Sequence, residues 1–127
     1  AVPMIEWLIT IRDTPPDRTV VDGERISECG LDATVLLTPG HTAGSSTLLV
    51  RDPATHALFA FVADLISTTG GAHVQSSYAQ NWGQLAPSIA RLRAAAPDLI
   101  FPGHGDTILT GGELAALVIS GPAAPQA

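Results

Sequence analysis

The chain has 127 residues, 46% of them hydrophobic, with six basic side chains against twelve acidic ones and a net charge of −6. That is enough for one domain with a modest core, and it excludes an intrinsically disordered chain. The acidic balance argues against a nucleic-acid surface, and no apolar run approaches the ~20 residues that span a bilayer.

The opening segment, "AVPMIEWLITIR", has no basic start and carries Glu6 inside its apolar part, so it does not read as a signal peptide. It begins without Met, which points to a fragment or a processed chain. Residues 4–12 read as a strand, followed by the loop "DTPPD". Asp22-Gly23 sits between two short extended runs, and that dipeptide favours positive φ and a hairpin. The single cysteine, Cys29, excludes an internal disulfide framework and points to a cytoplasmic setting. Every basic residue is an arginine and lysine is absent, which with the many Ala, Gly and Pro residues indicates a high-GC bacterial source.

"DATVLLT" reads as a buried strand that stops at Pro39-Gly40, directly before His41. "SSTLLVRDPATHALFAFVA" reads as two strands around the turn "DPATH", in which His56 is a surface residue. The nearly continuous apolar run 57–63 predicts a central strand covered on both faces, ending just before Asp64. From 65 to 84 periodicity is lost, which predicts an ordered loop of the kind that carries binding groups. "QLAPSIARLRAAA" predicts a helix with Leu85, Ile89, Leu92 and Ala96 on one face, stopped by Pro97. "DLIF" is a short strand leading into Pro102-Gly103-His104, "GGELAALVI" a last helix, and residues 120–127 a disordered tail. No repeat or linker divides the chain, so 1–127 reads as a single domain of α/β (α+β) class.

Three chemically capable residues share one kind of position. His41, Asp64 and His104 each follow a strand, and strand ends are where α/β folds place their sites. Their spacings are far too long for a local zinc-finger loop, so any site must be assembled by tertiary structure. Neutral imidazole and carboxylate are the usual ligands of catalytic zinc, manganese or iron. A lone histidine in a turn is ordinarily a surface residue, and a strand-end acid is ordinarily solvated. Two Pro-Gly-His turns with an acid after a buried strand make a joint accident improbable.

"TPGHTAGS" at 38–45, "VADLI" at 62–66 and "FPGHG" at 101–105 together resemble the later motifs of the metallo-β-lactamase superfamily, closest to its glyoxalase II-like and lactonase-like hydrolases. The resemblance covers roughly residues 18–110. It implies half of a four-layer αββα sandwich, here a mostly antiparallel sheet with helices on one face. It also implies that His41, Asp64 and His104 are metal ligands, with Asp64 bridging as the catalytic carboxylate between one or two zinc ions, or manganese or iron in their place. A metal-bridging hydroxide would then attack an ester, thioester, lactone or amide carbonyl of a small-molecule substrate. His73, Tyr78 and Trp82, in the 65–84 segment, are candidate substrate-binding residues.

The chain departs from the superfamily pattern in two places. Ala63 stands where the superfamily usually has Gly, and its methyl is expected to crowd the site slightly. The His-x-His-x-Asp-His motif that supplies the remaining ligands is absent, since the four histidines are His41, His56, His73 and His104. The chain therefore matches the C-terminal half alone. It is expected to work as a homodimer or with a partner half-domain, or else to serve as a catalytically inactive interaction module.

Overall fold

A computed structural model of the chain describes residues 13–74 and 79–119. The expected strand at 4–12, Tyr78 and the tail 120–127 lie outside the described residues.

Among the described residues, the chain's apolar runs form a seven-stranded sheet. Its strands are β1 (Arg25–Ile26), β2 (Ala33–Leu37), β3 (Ser46–Arg51), β4 (Leu58–Ser67), β5 (His73–Val74), β6 (Leu99–His104) and β7 (Leu109–Thr110). The order across the sheet is β1-β2-β3-β4-β6-β7, with β5 also on β4. All pairs are antiparallel except β4 with β6. Parallel strands need a long crossover, and residues 68–98 supply it, including helix α1 (Leu85–Ala95). A second helix, α2 (Gly111–Ala116), follows β7.

Register explains which side chains make the core. Leu49 pairs with Ala60, Ala60 with Ile100, and Ile100 with Leu109, so these four stand on one face of the pleat. That face takes Leu85, Ile89 and Leu92 from α1 and Leu114 from α2, giving one continuous apolar cluster. Burying such side chains contributes roughly 1.5–3 kcal/mol each. Helices thus cover one face of a mostly antiparallel sheet, as expected.

Four expectations change in detail. The apolar run of β4 is not covered on both faces: Ala60 and Val62 are buried, while Phe61 between them is 43% exposed. The strand also does not end at Ala63 but continues to Ser67, taking Leu65, Ile66 and Ser67 into the core. It can do so because a bulge at Ala63 resets the alternation. Phe61 pairs with Phe101 and Ala63 with Pro102, so two steps on β4 match one on β6. In α1 the apolar stripe stops at Leu92. Ala96 is exposed and left-handed, with φ of 51°, and caps the helix instead of packing. Asp22-Gly23 forms a turn, yet among the described residues no strand precedes it, and Asp22 serves instead as an acceptor for Leu37 N–H and Arg91.

Candidate metal centre

His41 is aimed by a turn fixed from several directions. The strands β2 and β3 are pinned at their near end by a buried hydrogen bond between the Thr38 and Thr47 hydroxyls, at 3.1 Å. The Ser88 hydroxyl of α1 donates to Pro39 O at 2.6 Å. Gln80 N–H donates to His41 O at 3.0 Å and Asn81 N–H to Gly40 O at 2.9 Å. The segment entering α1 therefore holds the backbone of the histidine turn directly.

Asp64 owes its position to the bulge. Ala63 has φ of 47°, the left-handed region that side chains other than glycine rarely adopt. The twist it introduces leaves Asp64 half-buried, its side chain 37% exposed, between apolar Val62 and Leu65. The Ala63 residue itself is exposed, so its methyl is not packed into the core. The sensitive feature is backbone conformation. A glycine would adopt this φ without strain.

His104 closes the set from β6. Gly103 passes so close to the bulge that a Cβ there would lie 2.7 Å from Ala63 O and 3.0 Å from Asp64 Oδ1. Only a glycine permits that approach, and the approach brings the next residue's ring to the carboxylate. His104 Nε2 stands 2.9 Å from Asp64 Oδ1, and His41 Nε2 stands 3.3 Å from Asp64 Oδ2. The side chains of His41 and His104 are 18% and 57% exposed, so the cluster opens to solvent on the His104 side.

The structure thus brings together the three residues expected to form the site, with one imidazole on each oxygen of a single carboxylate. Among the described residues no three His, Cys, Asp or Glu side chains converge on one point where they could hold a single ion. The donors are arranged as two nitrogen–oxygen pairs. Nitrogen and oxygen ligands each about 2.1 Å from a shared zinc stand roughly 3.0–3.4 Å apart for angles between square and tetrahedral. The His41–Asp64 separation falls in that range and the His104–Asp64 separation just below it, and both are also ordinary ion-pair distances. Two imidazoles, one beside each oxygen of the Asp64 carboxylate, are donor types that suit a divalent cation.

The expected substrate-binding residues are more dispersed. His73 pairs with Ser67 on β4, and its Nδ1 lies 2.8 Å from Gly71 O. It lines a cleft with Glu113, Leu117 and Val118 of the α2 end. Trp82 lies in the turn before α1, partly buried against the core. Sequence reasoning missed the supporting residues Thr38, Thr47, Thr68 and Ser88, all buried hydroxyls. Their only sequence trace is a polar residue at the end or on the inner face of an apolar element, which ordinary turns share.

No protein-family model matches the sequence, and no curated protein does. Solved structures are similar in fold. An archaeal metallo-beta-lactamase superfamily protein from Sulfolobus tokodaii superposes with a TM-score of 0.64 at 16% identity, covering 91% of this chain and 44% of its own. ETHE1 from Myxococcus xanthus is 29% identical with a TM-score of 0.53, covering 74% of this chain and 41% of its own. TTHA1623 in a di-iron-bound form is 27% identical with a TM-score of 0.57, covering 93% of this chain and 54% of its own. This chain spans about half the length of those proteins.

Proposed function

We propose, starting from a chain that has the metallo-β-lactamase superfamily fold over the segment carrying His41, Asp64 and His104, that it is the metal-binding half of a hydrolase for ester, thioester, lactone or amide bonds. The observation that carries this reading is the Asp64 carboxylate, with a different imidazole on each oxygen. His41 and Asp64 would hold one cation and Asp64 and His104 a second; zinc suits the donors, with manganese or iron as alternatives. A similar structure in a di-iron-bound form supports a metal of this class. Bound at such a site, divalent cations lower the pKa of a water and stabilise the oxyanion that forms at an attacked carbonyl. The chain's own part is to hold the donors in place. The bulge at Ala63 orients Asp64, the close pass of Gly103 delivers His104, and the 38–47 hairpin end delivers His41. Tyr78, Trp82 and His73 are proposed to face the small-molecule substrate.

Two protein ligands per ion bind weakly alone, so the centre needs further donors from elsewhere. The sheet face opposite the helices carries Leu48, Val50, Phe59, Phe61, Leu99 and Phe101 by register. Phe101 stacks on Phe61 at 4.8 Å and meets Phe59 edge-on at 5.6 Å. An apolar face of this kind favours a partner, either a second copy or a half-domain completing the site. The same face supports the second reading, an inactive interaction module. The lone cysteine of the chain supports a cytoplasmic setting.

Native mass spectrometry of the chain with and without zinc tests the hydrolase reading. We expect zinc uptake that is abolished in Asp64→Ala, together with turnover of a thioester or lactone by the zinc-loaded assembly. A chain that takes up no zinc, manganese or iron in any oligomeric state overturns it.

A further inference from the structure

The loop after His104 is built around one buried hydroxyl that the ligand set does not use. Thr68 follows the last residue of β4 and is only 6% exposed. Its N–H donates to His104 O at 2.9 Å. Its hydroxyl makes a long contact to the same carbonyl, at 3.4 Å, and accepts from Thr107 N–H at 3.3 Å. Gly105 has φ of 97°, and a Cβ there would lie 2.7 Å from both Thr68 C and Thr69 N. The turn 104–107 therefore wraps around Thr68, with no room for any other residue at 105.

Thr68 directly follows the strand that carries Asp64, four residues further along, and both reach His104. Asp64 meets the ring at Nε2, while Thr68 holds the backbone from which the ring projects. We propose that Thr68 is a positioning residue: its hydroxyl, caught inside the 104–107 turn, sets the aim of the His104 imidazole on Asp64. A buried hydroxyl in that role is worth its desolvation only while both partners are present. The placement of His104 stands on the hydrogen bonds alone, whereas the consequence for ion affinity rests on the metal reading above. Residues that orient a ligand without touching the ion change affinity about 10–100-fold when removed.

The test compares the full chain with T68S, which keeps the hydroxyl, and T68A, which removes it; T68V replaces T68A should that variant not fold. Hydrogen exchange at the Thr107 amide reports the turn, and competition with a chelator reports zinc affinity. Expected is a T68A chain that loses Thr107 protection and binds zinc about 10–100-fold more weakly, with T68S close to wild type in both. Zinc affinity unchanged in T68A, or lowered equally in T68S, overturns the proposal. If the wild-type chain takes up no zinc, the metal reading fails by itself. Thr68 is then judged on the Thr107 amide and on nuclear Overhauser contacts between the His104 ring and β4. Loss of both in T68A alone supports the positioning role, and their persistence overturns it.

Discussion

The backbone of Ala63 occupies the space that a side chain at Gly103 would need, with Ala63 O only 2.7 Å from where that Cβ would stand. The strand bulge and the strand that passes it are fitted to one another at the point where Asp64 and His104 meet. Gly103→Ala must push β6 off the bulge or distort it, and overpacking of this kind costs about 1–3 kcal/mol. We expect chemical denaturation to show that loss, and zinc binding to fall with it. A variant as stable as wild type and equally able to bind zinc would mean that the close approach does not place His104.

Ala63 itself pays for its left-handed conformation, since an alanine at positive φ is strained by roughly 1–2 kcal/mol. Glycine removes the strain but adds freedom to the unfolded chain. The net for Ala63→Gly is a gain of about 0.5–1 kcal/mol, which raises the melting temperature of a domain this size by several degrees. Calorimetry with and without zinc would show the gain in both states. A lower melting temperature would contradict the backbone reading and restore a packing role to the methyl.

Asp22 connects the 21–24 turn to the end of β2 and to α1. The Leu37 N–H, and after it the Arg91 guanidinium, hold its carboxyl below the ordinary value of 3.8. A carboxylate with a depressed folded-state pKa adds stability above its unfolded pKa and loses it as pH falls through the folded value. Wild type should therefore exceed Asp22→Asn in urea resistance at pH 6–7, with the gap closing as the pH drops below about 4. A gap that stays constant down to the lowest pH at which both fold would assign the effect to geometry and not to charge. Arg91→Leu should show the same direction with a smaller pH dependence, because the Leu37 amide remains.

Phe61 is the large exposed side chain at the centre of the apolar sheet face, stacked on Phe101. In a homodimer that covers this face, Phe61→Glu places a charge in the interface and should yield monomers by sedimentation. Because the core lies on the opposite face, the variant's melting transition should remain cooperative. A wild-type chain that is monomeric at high concentration excludes the homodimer and leaves the partner half-domain.

What was legible in the sequence was whatever a short window encodes. Leu85, Ile89 and Leu92 repeat at helical spacing, and the structure buries all three. His41, Asp64 and His104 stood out because two Pro-Gly-His turns and an acid each follow an apolar run; the sheet brings the three together, although Asp64 lies inside β4 and not at its end. What stayed hidden depends on contacts between distant segments. That β4 survives past Asp64 follows from its pairing with His73 and His104, which no local pattern announces. Thr68 is one more polar residue in "LISTT" until the loop from β6 closes over it. The role of Ala63 lies in a φ angle, and alanine carries no sequence mark of positive φ.

The parallel pairing of β4 with β6 has a kinetic consequence. Every other strand pair described joins neighbours in sequence, whereas this one waits for the whole crossover with α1 to close. Non-local pairings are the slow steps of folding, because loop-closure entropy must be met before their contacts contribute. Asp64 and His104 sit on the two strands of that pair, so the donor set comes into existence only when the slowest contact does. Refolding followed by fluorescence should therefore run no slower than recovery of zinc binding, and zinc, by favouring the closed pair, should chiefly slow unfolding.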